Sequence, residues 1–190
     1  MRFFYTGAES YLTPQPIAKL SLGGNVSSST VPNDVFSNLF GELSSKTISD
    51  DGSEYFMLAL KNETGHNIDD VSIYYDYQED NYAKLEISSV SSMSNDCGDV
   101  YFEEIPNKHS RPLNAAFVEL NGSENEASLG PVIVGDSIGI WFKRTLTDIG
   151  RSSLPTDETS INSCDNVYAR FQNNNEKLEK TETISLHINY

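Results

Sequence analysis

The stretch from Glu54 to Tyr77, EYFMLALKNETGHNIDDVSIYYDY, constrains the fold more than any other part of the chain. In its first half Phe56, Leu58 and Leu60 alternate with Tyr55, Met57 and Ala59, so both faces are apolar. Such a strand needs cover on both sides, because a strand at a sheet surface carries polar residues towards solvent. Lys61 to Asn67 is rich in turn formers, and then Val71, Ile73 and Tyr75 alternate with Ser72, Tyr74 and Asp76. The second half reads as a half-exposed strand, and the two together as a hairpin on which the rest of the chain is arranged.

Upstream the character changes. Pro14, Pro16 and Pro32, the pair Gly23-Gly24 and the tract Ser27 to Thr30 interrupt regular structure repeatedly over residues 1–50. Yet Phe3, Phe4, Tyr5, Tyr11, Leu12, Ile17, Leu20 and Leu22 give this segment too much apolar surface for a free tail. It reads as an extended arm that either wraps its own domain or lies on a neighbouring subunit. Within it, Asn33 to Leu43 carries an N-cap signal and apolar residues at helical spacing, so a short helix is expected near 33–43.

Downstream, Ala83, Leu85 and Ile87 predict a third strand, and 88–99 a long polar loop. Short strands are expected at 100–102 and 115–120; over 132–146 the apolar Val132 to Val134 run into a turn or bend at Gly135-Asp136 and then a strand at 138–142; one more is expected near 167–171, and a closing strand at 183–190. The total is six to eight strands, one short helix and no βαβ rhythm. That defines an all-β chain: an antiparallel β-sandwich, jelly-roll-like, over residues 51–190, with the arm over 1–50. The polar stretches at 88–99 and 147–165 are longer than ordinary connections and read as contact or specificity loops.

Charge narrows the function. Thirteen Lys and Arg stand against 28 Asp and Glu, a formal charge of −15. That surface repels nucleic-acid phosphates and anionic lipid, so neither is expected as a partner. The N-terminal residues lack the apolar core of a signal peptide, and no run approaches the ~18 apolar residues of a membrane span. Cys97 and Cys164 lie in polar stretches read as loops, and one such pair is neither a disulfide framework nor a zinc site.

Several motifs resemble chemistry without completing it. Gly135-Asp136-Ser137-Ile138-Gly139 matches the nucleophile-elbow pattern, but that reaction needs its serine on a strand-to-helix turn with acid and histidine partners. Here the residues after Ser137 alternate as a strand, and His187 is the one histidine that follows. His66 and His109 stand alone in turns, without metal-ligand spacing. Asp50-Asp51-Gly52 lacks the calcium-loop pattern, and Asp69-Asp70 and Glu103-Glu104 are not placed as an acid–base pair. Tyr74, Tyr75, Tyr77, Tyr82 and Trp141 contain enough aromatic surface for a sugar-binding face, with core packing as the plainer role. No catalytic, cofactor-binding or metal-binding residue is assigned, and no cofactor is expected.

Three stretches, SLGGNVSSSTVPNDVFSNLFGELS, the Glu54–Tyr77 stretch and VIVGDSIGIWFKRTL, taken together, resemble a group of small virion structural proteins of tailed bacteriophages. The matching positions are Ser21 to Gly24, Asn38 to Phe40, Tyr55, Lys61, Asn62, Val71, Ile73, Gly139, Trp141, Lys143 and Arg144. They span residues 20–77 and 130–146, and the acidic, Asn-rich character fits a short-tailed, crAss-like phage. The resemblance implies a non-enzymatic subunit of a neck, tail ring or capsid-associated assembly, made in the host bacterial cytoplasm and located in the virion. Its partners would be other virion proteins and copies of itself. The expected contact residues are Phe3, Phe4, Tyr5, Tyr11, Leu12 and Ile17 of the arm, with Lys143 and Arg144 at a strand end. The alternative expectation is a β-sandwich module that binds carbohydrate or a receptor.

Overall fold

A computed structural model describes residues 1–32, 40, 52–76, 83–94, 96, 98–120, 126–148, 164–172 and 186–189, with backbone alone at 75–76, 164–172 and 186–189. The described residues form an all-β, sandwich-like fold of two antiparallel sheets. In chain order the strands are Arg2–Ala8 (β1), Gly24–Thr30 (β2), Ser53–Lys61 (β3), Ile68–Asp76 (β4), Ala83–Ser91 (β5), Met93–Ser94 (β6), Val100–Phe102 (β7), Val118–Glu119 (β8), Ala127–Val132 (β9), Ser137–Leu146 (β10), Cys164–Gln172 (β11) and Leu186–Asn189 (β12). The larger sheet runs β6-β7-β2-β1-β3-β10-β5-β8, and the smaller β12-β11-β4-β9.

The two-faced strand lies where its pattern requires. β3 sits between β1 and β10, and every side chain from Ser53 to Leu60 is buried. Phe56, Leu58 and Leu60 join Phe3, Tyr5, Ile140 and Phe142 of the same sheet, and Ile68, Val71, Ile73 and Val132 of the other, in the core between the sheets. Tyr55, Met57 and Ala59 face the opposite way, into a second core with Phe4, Val26, Phe102, Ile105 and Trp141. The chain after β7 covers that second face. Tyr55 N–H donates to the Lys108 carbonyl at 2.7 Å, and Ile105 N–H to the Leu22 carbonyl at 2.9 Å.

The hairpin expected from Glu54 to Tyr77 is corrected. β3 and β4 have the expected positions but do not pair; β3 bonds β1 and β10, and β4 bonds β11 and β9. The link between them crosses from one sheet to the other. Asn62 holds that crossing: its side-chain amide donates to the carbonyls of His66 and Val132, both at 2.9 Å, and its Oδ1 accepts from Thr64 N–H and Oγ1. A hairpin turn would have brought β4 beside β3, a place that β10 occupies.

The segment expected to be an arm contributes β1 and β2 to the larger sheet. Its prolines fall outside both strands: Pro14 and Pro16 lie in the excursion between them, and Pro32 just beyond β2. Of the expected helix only Phe40 lies within the described residues. Its buried ring meets Phe56 edge-on at 5.1 Å. β5 runs on to Ser91, so the loop expected from residue 88 begins later, and Cys164 opens a strand rather than lying in a loop. No described helix is long and apolar enough to cross a membrane.

Candidate functional site

The described residues among those that carry the resemblance belong to the framework of the fold; Asn38 and Leu39 lie outside the described residues. Ser21 Oγ accepts from Thr6 N–H at 2.9 Å and donates to the Met57 carbonyl, while Met57 N–H donates to the Ser21 carbonyl at 2.8 Å. Ser21 thus takes over the edge of β3 where β1 turns away. Gly23 follows at a φ of 93°, and a Cβ there would lie 1.8 Å from the Glu103 carbonyl oxygen. No other residue fits this close approach. Gly139 plays a similar part in β10, where a Cβ would press into the Phe102 ring at 2.6 Å.

Glu54 and Arg144 make a buried ion pair at one end of the central core, joined by the partly exposed Lys108. Arg144 and Glu54 are register partners on β10 and β3, and Arg144 Nη2 and Lys108 Nζ both donate to the Glu54 carboxylate. The Arg144 guanidinium also lies 4.6 Å from the centre of the Phe40 ring, a cation–π contact. Burial by itself would raise the Glu54 pKa. The Arg144 charge and the hydrogen bonds from Lys108 and Arg144 outweigh it and hold the carboxyl below its ordinary value. Tyr5 has its phenol pushed up to about 12 by burial.

The expected contact residues divide into two groups. Phe3, Phe4 and Tyr5 are core residues of β1, with at most 5% of their surface exposed. Lys143 bonds Glu86 across β10 and β5 at 2.6 Å and lies over the Phe117 ring, and Arg144 is held by Glu54. These five side chains are engaged within the chain. Tyr11 is half-buried against the second core, whereas Leu12 and Ile17 are 39% and 45% exposed on the excursion between β1 and β2. Leu20, at 44%, joins them at the end of a single 3-10 turn, Ala18–Leu20. This excursion is the candidate contact surface. Proline punctuation and apolar content pointed to it, although its anchoring between two sheet strands was not legible.

A second feature lies on the open side of the sandwich. The end of β5, edge strand β9 and the start of β10 enclose a cleft of about 400 Å³. Ser89, Ser91 and Ser92 line it from β5 and just beyond, Leu129 and Pro131 from β9, and Asp136, Ser137 and Ile138 from the following turn and β10. Ser137 is 6% exposed, and among the described residues its Oγ has no hydrogen-bond partner. As its sequence pattern predicts, Ser137 begins a strand rather than a helix. β12, which carries His187, forms the opposite edge of the smaller sheet from β9.

Tyr74 is half-buried in β4, and Trp141 is wholly buried in the second core; Tyr77 and Tyr82 lie outside the described residues. His66 is exposed in the crossing, and His109 Nδ1 lies 3.1 Å from the Ser53 carbonyl. Among the described residues no group of three or more His, Cys, Asp or Glu side chains is placed to hold a metal ion. Comparison of the chain with family models, curated proteins and solved structures finds no match in any of the three.

Proposed function

We propose that this protein is a non-enzymatic structural subunit of a tailed-phage particle, in a neck or tail ring or a capsid-associated position, acting through contacts with its own copies and other virion proteins. The observation that carries the reading is the excursion between β1 and β2. It presents Leu12, Ile17 and Leu20 to solvent from a short span fixed at both ends in the larger sheet. Exposed apolar side chains on a rigid mount suit repeated protein contacts. The phage setting rests on the sequence resemblance, whose motif residues Ser21, Gly23, Asn62 and Gly139 serve here to join sheet, crossing and second core.

Surface substitution tests the reading without disturbing the sheet. The parent chain is expected to form a ring or higher oligomer by mass photometry, and Leu12→Asp/Ile17→Asp/Leu20→Asp to fall to monomer with its unfolding midpoint kept. An oligomer indifferent to the triple substitution would remove the excursion from the interface. Mass spectrometry of banded phage particles supplies the test of setting: peptides of this chain belong in the particle fraction, and their confinement to the lysate would sink the virion reading.

A further inference from the structure

We propose that the excursion between β1 and β2 of one copy docks on the β9–β10 turn of the next, joining copies head to tail. The turn is a second exposed apolar surface: Ile133 and Val134 are 58% and 45% exposed at its tip. Asp136 N–H closes it on the Ile133 carbonyl at 3.0 Å, and Gly135 takes the positive φ, 85°, of its third position. Such turns ordinarily carry Gly, Pro, Asn, Asp or Ser, so folding alone gives no reason for two exposed β-branched side chains there. The crossing holds the turn still. Asn62 Nδ2 donates to the Val132 carbonyl and Asn62 N–H to that of Asp136, both at 2.9 Å, and Val134 N–H donates to Asn67 Oδ1 at 3.0 Å. The excursion is fixed likewise: Leu12 N–H donates to the Val26 carbonyl at 2.7 Å, and Leu12 is held at a φ of 57°, which such side chains rarely adopt. Surfaces already held rigid lose little freedom on binding.

Place and charge select a second copy as the partner. β1 runs antiparallel to β3 with Arg2 opposite Lys61 and Tyr5 opposite Leu58, so after Ala8 it leads towards the end where β3 begins. Ser21 fastens the returning chain to Met57. The turn lies beyond the other end of β3, with Ser137 opposite Lys61. One copy therefore cannot bring its own two surfaces together. Lys19, between Ile17 and Leu20, is the one cation of the excursion, and Asp136 is the one charged residue of the turn. Both are exposed, and among the described residues neither makes an ion pair. Glu9, the excursion's one acid, lies next to β1. Excursion on excursion would set Lys19 against Lys19, and turn on turn Asp136 against Asp136, whereas excursion on turn pairs opposite signs. A contact between two different surfaces of identical copies propagates, and closes into a ring where the rotation permits. This contact rests on the assembly reading above and adds the surface that receives the excursion.

Mixing variants of the full chain tests the pairing, with masses read by mass photometry. The parent is expected as a ring or higher oligomer, and Leu12→Asp/Ile17→Asp/Leu20→Asp and Ile133→Asp/Val134→Asp each as a monomer. Equimolar mixing of the two should give a dimer holding one of each and nothing larger, because the intact turn of the first meets the intact excursion of the second. Charge reversal supplies an independent pair of variants. Lys19→Glu or Asp136→Lys alone should raise the concentration for half-assembly roughly fivefold, and the two in one chain should restore it. Thermal unfolding midpoints show whether each variant is folded. A turn variant that assembles as the parent does, two monomers that stay apart on mixing, a charge swap that restores nothing, or a parent no larger than a dimer would overturn the head-to-tail contact. A turn variant that assembles beside a monomeric excursion variant overturns this contact and keeps the assembly reading; an excursion variant that still assembles removes both.

Discussion

Glu54 and Arg144 face each other across β3 and β10 with about 1% of either side chain exposed, and Lys108 reaches the same carboxylate from the covering segment. Removing one member of such a cluster leaves buried charge without its partner. Glu54→Gln should therefore cost about 3–5 kcal/mol in chemical denaturation, far more than loss of a surface pair. The same residue gives a pH signature. Its folded pKa lies below its ordinary 4.5, so its contribution is complete above that value and is lost as pH falls through the folded pKa. The stability difference between parent and Glu54→Gln should narrow below about pH 4, as measured by urea titrations at stepped pH. A gap that stayed constant from pH 6 to 3 would mean that the carboxylate charge is not what holds Arg144. Sequence alone placed Arg144 at a strand end, as an expected contact residue. Its partner Glu54 lies 90 positions away, and only the β3–β10 register brings them together.

At the scale of elements, what was legible followed from side-chain alternation. The two apolar faces of β3, the alternation of β10 and the turn at Gly135-Asp136 are all found where the pattern places them. Partner choice was not legible, because alternation states which side chains share a face and not which strand lies alongside. Hence β3 and β4 were read as a hairpin when the link crosses between sheets. β1 was missed as a strand because Arg-Phe-Phe-Tyr shows no alternation: Phe3 and Tyr5 feed one core while Phe4 feeds the other. The cleft was visible only as a serine-rich stretch and a G-x-S-x-G pattern, since its walls come from separate segments. Glycines at positive φ give a test of this framework. Gly65, at 84° in the crossing, has open space around its missing Cβ, and Gly65→Ala should cost only ~1–2 kcal/mol of backbone strain. Gly23→Ala adds a clash with the Glu103 backbone to the same strain and should cost at least about twice as much. Paired urea denaturations decide, and equal costs would show that the covering segment moves aside freely.

For the whole molecule, residues 1–32 form a wall of both cores. β1 lies between β2 and β3, so a chain lacking residues 1–32 would expose the outer edge of β3 and open both cores. Such a truncation should be aggregated or unfolded by circular dichroism and sedimentation, not a folded monomer. A soluble, folded truncation with native-like near-ultraviolet dichroism would mean that β1 is an appendage after all. For the same reason, loss of assembly in that truncation says nothing about contact surfaces, and point substitutions on the excursion are needed.

The place of β10 also sets a timetable for synthesis. β3 and β5 are both complete in the emerging chain before Ser137 is made, yet β10 is the strand that bonds them both. At roughly 5–20 residues per second on the ribosome, β3 waits several seconds for this neighbour, with backbone groups and apolar side chains unclaimed. The nascent chain thus holds two waiting strands that one later strand must seal together, and neighbouring chains on the same message pass through that stage at close quarters. A pause in translation before Ser137 would lengthen the interval in which β3 and β5 lack the strand that joins them.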